Sequence, residues 1–132
     1  MSQKNVEVIR GIFEHLNRTG EQPREAYAED ATADASRLPG FGVYRGREEV
    51  ISAWLAYRDT FDEWWLEEVK EVLDGQGERV FAASRDGGRM KASGSEVHND
   101  FFHVYELRGG RIVAWTVCLD RTQALEAAGL SD

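Results

Sequence analysis

Apolar residues recur along the chain with two different periods. Val6, Ile9, Ile12, Phe13 and Leu16 fall three or four apart, which predicts a helix that should stop near Gly20. Pro23, a favoured first-turn residue, opens a second short helix expected to run to about Ala28 and to carry Tyr27 inward. A third helix is predicted from Arg47 to about Thr60, with Val50, Ile51, Trp54, Leu55 and Phe61 along one stripe. Between these helices, Asp30 to Ser36 alternates like a short strand, and Leu38 to Gly46 has the glycines of a loop able to close over a cavity. From Trp64 the period becomes two. Strands are expected over Trp64 to Leu73 and Arg79 to Arg85, with a turn at Asp74-Gly75-Gln76-Gly77 and another opened by Gly87-Gly88. A final helix, Arg121 to Ala128, follows Asp120 and ends at Gly129.

The most informative stretch runs from Val97 to Leu119. It reads as two long strands joined at Gly109-Gly110, where a hairpin needs positive φ. Phe101, His103, Tyr105 and Leu107 share one face of the first arm, with Phe102 and Val104 opposite. Val113, Trp115, Val117 and Leu119 share one face of the second, with Ile112, Ala114 and Cys118 opposite. Both faces are apolar, so both should be covered. His103 interrupts the pattern, and a buried imidazole must find a hydrogen-bond partner or a ligand.

Composition narrows the function classes. Sixteen basic residues against 24 acidic give a net charge of −8, which opposes attraction to phosphate backbones, so no nucleic-acid partner is expected. No apolar run is long enough to span a membrane, and charged and polar residues recur through Met1 to Arg10, so a cytoplasmic protein is expected. The single cysteine, Cys118, reads as a small packed hydrophobe. The three histidines are His15, His98 and His103, the last two on opposite strand faces, so no metal site is expected. Neither a G-x-S-x-G elbow nor a glycine-rich phosphate loop is present.

Helices followed by a run of strands indicate an α+β fold, with helices packed on one face of a curved sheet. Four segments then carry a resemblance: Y-A-E-D-A-T-A-D (Tyr27 to Asp34), Y-R-G-R-E-E-V (Tyr44 to Val50), F-H-V-Y-E-L-R-G-G-R-I-V (Phe102 to Val113) and L-D-R-T-Q-A-L-E-A-A-G-L (Leu119 to Leu130). In this order and spacing the chain resembles the SnoaL-like proteins of the ketosteroid isomerase and nuclear transport factor superfamily. The resemblance implies a single domain over residues 1–132: a cone-shaped, cystatin-like antiparallel sheet, three N-terminal helices on its concave face and a short C-terminal helix. It also implies an apolar cavity and a homodimer through the outer sheet face, expected here over Phe102, Val104, Ala114 and Cys118.

The superfamily hosts isomerases, cyclases, dehydratases, hydrolases and simple binders, so activity must be read from the site. Ketosteroid isomerases pair a carboxylate base with an oxyanion hole made by a tyrosine and a protonated aspartate. By resemblance, those positions are Ala35 for the base, Phe13 for the tyrosine and His103 for the aspartate, which speaks against steroid isomerisation. The polyketide cyclase pattern, an aspartate near the end of the last strand with a histidine close by, matches Asp120 and His103. Asp34 is a third candidate if its strand turns it inward. Two have a plainer reading, Asp120 as a helix cap and His103 as a hydrogen-bonded core residue, while a regular strand points Asp34 away from Ala31, Ala33 and Ala35 and a bulge would reverse that. Tyr27, Phe13, Phe41, Trp54, Phe101, Tyr105 and Trp115 are candidate ligand contacts or ordinary core, and Arg58 is either a pocket-rim cation or a snorkelling side chain. The expected function is binding of a hydrophobic small molecule, with cofactor-independent isomerase, cyclase or hydratase chemistry on a carbonyl compound. The alternative is a noncatalytic dimeric ligand-binding or interaction domain.

Overall fold

The computed structural model describes residues 2–130. Helix α1 spans Ser2–Thr19, and Gly20 ends it at φ 73°, its N–H returning to the Leu16 carbonyl at 2.7 Å. A single 3-10 turn, Arg24–Ala26, stands where a second helix to Ala28 was expected; Tyr27 and Ala28 already belong to strand β1, Tyr27–Asp34. Strand β2, Val43–Arg45, lies inside the segment expected to be loop, because Tyr44 pairs with Ala33 in a short antiparallel ladder. Then come α2 (Arg47–Arg58), β3 (Phe61–Asp74), β4 (Arg79–Met90), β5 (Glu96–Arg108), β6 (Arg111–Cys118) and α3 (Arg121–Ala127).

The six strands form one sheet in the order β2-β1-β6-β5-β4-β3. It is mixed rather than purely antiparallel, since β1 runs parallel to β6. Three register shifts in β3, at Phe61/Glu63, Leu66/Glu68 and Val69/Glu71, are bulges of the kind that curl a strand. A further shift between β5 and β6 corrects the expected faces: Glu106 pairs with Ala114 but Leu107 with Ile112. The extra residue is Val113, so Ile112 turns into the same core as Leu107 and Tyr105.

Two cores sit on opposite faces of this sheet. On one, Val6, Ile9, Ile12, Phe13 and Leu16 of α1 and Val50 of α2 pack over Val72, Val80, Ala82, Tyr105 and Ile112. Thus α1 and α2 cover one face, and among the described residues no third α-helix joins them. On the other, Ala124, Leu125 and Ala128 cover Phe81, Ala83, Val104 and Cys118. Arg121 fastens α3 there through two hydrogen bonds to Glu71, at 3.0 and 2.9 Å, with its guanidinium over the Phe81 ring. Val104 and Cys118, expected to face a second subunit, are therefore buried by this chain's own C-terminal helix. Among the described residues, no helix is long and apolar enough to cross a membrane.

Gly87 and Gly88 correct the expected turn. Both lie inside β4, which continues to Met90, and the chain reverses only over residues 91–95. They permit close approach of β3. A Cβ on Gly88 would meet the Phe61 ring and stand 2.7 Å from the Glu63 carbonyl oxygen, and one on Gly87 would stand 2.6 Å from Trp65 Nε1. Gly88→Ala is expected to lower stability by about 1–3 kcal/mol, read as a fall in the urea midpoint.

Candidate functional site

A cavity of about 100 Å³ lies between the sheet and α1–α2. Its walls come from Phe13 and Leu16 of α1, Ala53, Trp54 and Tyr57 of α2, and Leu38 and Phe41 of the β1–β2 connection. Trp64, Leu66, Phe101, Tyr105, Trp115 and Val117 complete the apolar lining from the sheet. Alternation along neighbouring strands then delivers three polar side chains, because Ser84 and Asp86 share the inward face of β4 and His103 that of β5. All three are buried.

His103 stacks on Tyr105, with Phe13 against its edge. The Trp115 Nε1–H donates to its Nδ1 at 3.1 Å, and its Nε2 lies 2.9 Å from Ser84 Oγ. Burial without a neighbouring charge lowers its pKa to about 3, so the ring is neutral near pH 7. Asp86 makes a second polar centre. Tyr57 Oη–H and Trp64 Nε1–H both donate to its Oδ2, at 2.8 and 2.9 Å. Its Oδ1 is buried and accepts no hydrogen bond of acceptable geometry, although the Asn99 side chain lies near enough to favour the charged form. Burial is the larger effect and raises the Asp86 pKa; the same burial, with the Asp86 charge, pushes the Tyr57 hydroxyl well above its usual value.

Of the residues singled out in sequence, the cavity gathers His103, Phe13, Phe41, Trp54, Phe101, Tyr105 and Trp115. Four stand apart from it. Asp34 is half-exposed and held ionised by hydrogen bonds from the Ser36 hydroxyl and N–H, with Arg37 3.7 Å away. Asp120 is exposed and accepts from Thr122 N–H at 2.8 Å and Gln123 N–H at 3.4 Å, as an N-cap does. Tyr27 is core, its hydroxyl donating to Gln22 at 2.6 Å. Arg58 donates to the Gly20 carbonyl at 2.8 Å and so satisfies the end of α1. Asp86 lies outside the sequence reading because the strand is expected to end at Arg85 and a turn to open at Gly87-Gly88, whereas β4 runs on through Asp86 to Met90. The signal was the alternation Val80, Ala82, Ser84, which carries straight on to it. Among the described residues no cluster of His, Cys, Asp and Glu is arranged to hold a metal.

Comparison with known proteins agrees with this architecture. The SnoaL-like domain matches residues 9–115. The chain belongs to the SnoaL-like family. No curated protein matches it significantly by sequence. Among solved structures it is similar to Bal32a from a soil-derived mobile gene cassette, at 18% identity and TM-score 0.78 over 96% of this chain and 97% of that one. It is also similar to an NTF2-like protein of unknown function from Burkholderia pseudomallei, at 20% identity and TM-score 0.73 over 95% and 97%. TerC, co-crystallised with polyporic acid, is a third, at 18% identity and TM-score 0.70 over 95% and 97%. At these identities the likeness is one of fold.

Two expectations follow from the geometry. Asp120→Ala is expected to cost about 1 kcal/mol of stability and Asp120→Asn much less, by urea denaturation, as for a cap. For His103 the unfolded chain takes up a proton near pH 6.5 that the folded protein refuses until about pH 3. Its contribution is therefore complete above pH 6.5 and declines as pH falls through that window. Between pH 7 and pH 5 the wild type is expected to lose about 2 kcal/mol more than His103→Asn.

Proposed function

We propose that this SnoaL-like protein binds a compact hydrophobic carbonyl compound and moves a proton at the carbon beside its carbonyl, with Asp86 as general base. The observation that carries this reading is the Asp86 carboxylate itself. It lines an apolar cavity, one oxygen is held by Tyr57 and Trp64, and the other, Oδ1, has only the nearby Asn99 side chain and makes no hydrogen bond of acceptable geometry. A carboxylate so placed is held in orientation, has a raised pKa and keeps a lone pair for a C–H proton. The proton passes to Oδ1, the C–H electron pair becomes the enolate, and return of the proton to the same or a conjugated carbon gives exchange or isomerisation. Attack of that carbon on a second carbonyl would give ring closure. No cofactor takes part in either step.

Cavity size bears on the substrate. An apolar cavity of about 150 Å³ accepts benzene, so at about 100 Å³ this one takes at most a single ring, and only if wall residues such as Leu38 and Phe41 give way. The co-crystal of TerC with polyporic acid supports small-molecule binding in this fold. A homodimer belongs to the same proposal, now over the part of the outer face that α3 leaves open, where Phe102 and Ala114 are partly exposed. Light scattering at micromolar concentration tests it: twice the chain mass is expected, and a monomer mass overturns it.

The activity is tested by deuterium uptake from D₂O at the α-carbons of cyclohexanone and acetophenone, followed by proton NMR. Uptake above the buffer rate is expected for the wild type and for Asp34→Asn and Asp120→Asn, with a loss of about 10²-fold or more in Asp86→Asn. That variant keeps an acceptor for Tyr57 and Trp64 and removes a buried charge, so its urea midpoint at pH 7 should be no lower than wild type. Equal uptake by wild type and Asp86→Asn, or none above buffer, overturns the reading.

A further inference from the structure

A buried serine beside a histidine invites comparison with a hydrolytic pair, in which the ring accepts the serine proton and frees the oxygen to attack. The hydrogen bonds here run the other way. Indole nitrogen is only a donor, so Trp115 Nε1–H facing His103 Nδ1 at 3.1 Å commits the Nδ1 lone pair. A neutral ring then carries its one hydrogen on Nε2, and the 2.9 Å contact to Ser84 must be Nε2–H donating to Oγ. His103 cannot also act as base for Ser84. Ser84 Oγ has accepted, and its own hydrogen is free to turn elsewhere; no other hydrogen bond of this side chain exists among the described residues.

We propose that Ser84 is the donor that holds the ligand's carbonyl oxygen, with His103 and Trp115 as positioning residues that fix the direction of the chain Trp115 to His103 to Ser84 to ligand. Each donor in such a series polarises the next, so the last O–H is a better donor than an isolated serine. The position suits the task. Ser84 and Asp86 are two apart on one strand face, about 6.6 Å between Cα atoms by strand geometry. Their side chains can bracket an O=C–C–H unit, with the oxygen on Ser84 and the acidic C–H toward Asp86 Oδ1. This extends the carbonyl reading above, but it rests on different side chains and a different measurement. The substrate class it implies is a ketone or enone whose carbonyl enters the cavity first, and not an ester awaiting a serine nucleophile.

The experiment uses the wild-type protein and two shape-matched probes, acetophenone and α-methylstyrene, which differ in C=O against C=CH₂. Proton–nitrogen NMR of His103 at pH 7 is expected to show the neutral ring with its hydrogen on Nε2. Acetophenone is expected to bind about three- to tenfold more tightly than α-methylstyrene, and Ser84→Ala to erase that preference while leaving α-methylstyrene within twofold of wild type. Trp115→Phe should release the Nδ1 lone pair and mix the two ring forms. A hydrogen on Nδ1 in the wild type, no preference for acetophenone, neither probe binding at millimolar concentration, or a preference that survives in Ser84→Ala overturns the proposal. The deuterium-uptake comparison of wild type with Asp86→Asn is a separate reading, so failure of one proposal is distinguishable from failure of the other.

Discussion

Most of this structure depends on the register between β4 and β5. The two strands pair without a shift from Arg79↔Glu106 to Arg89↔Glu96, and side chains alternate faces with a period of two. One consequence is that Ala82, Ser84 and Asp86 face inward together with Phe101, His103 and Tyr105. A slip of one strand by one residue would reverse its share of that set. Arg85 and Asp100, which now face each other across the outer surface at 3.3 Å with Glu67 and Lys70 beside them, would be turned toward an apolar cavity. Burying those charges would cost far more than the sheet gains from pairing, so the correct register is strongly favoured.

The same register creates the problem that the polar groups of the cavity solve. A buried hydroxyl, imidazole and carboxylate each need partners. Trp115 and Ser84 satisfy both nitrogens of His103, while Tyr57 and Trp64 satisfy one oxygen of Asp86. What is left over among the described residues is specific: one serine hydrogen, and one carboxylate oxygen with only the Asn99 side chain near it, on adjacent inward positions of one strand. Aromatic residues thus serve twice, as apolar wall and as hydrogen-bond donor, which a lining of leucine or valine could not do.

Much of the fold was legible in sequence because it rests on periodicity. The stripe on α1, the hairpin at Gly109-Gly110, the cap at Asp120 and the inward face of His103 all follow from spacing and turn chemistry. What was not legible lies where a local signal has two meanings. Gly87-Gly88 looks like a turn from within its own segment; only the approach of Phe61, Glu63 and Trp65 from β3 shows why glycine is needed in a strand. That one misreading also hid Asp86. The extra residue at Val113 was invisible for a related reason, since a bulge is defined by its partner strand. Asp34 was ambiguous because the face it takes at the strand end depends on the local turn in which Ser36, two residues on, holds it, and Arg58 because its partner, the Gly20 carbonyl, comes from a distant part of the chain.

The division of the cavity wall has a consequence for how such proteins diversify. Ser84, Asp86, His103 and Trp115 stand on β4, β5 and β6, inside the sheet, whereas Ala53 and Trp54 come from α2 and Leu38 and Phe41 from the β1–β2 connection. Changes of size in the second group would redraw the shape of an accepted molecule while leaving the reactive groups in place. Drift or directed evolution can therefore explore new substrates along the helical wall with the chemistry held constant, and Ala53 is an economical first position to vary.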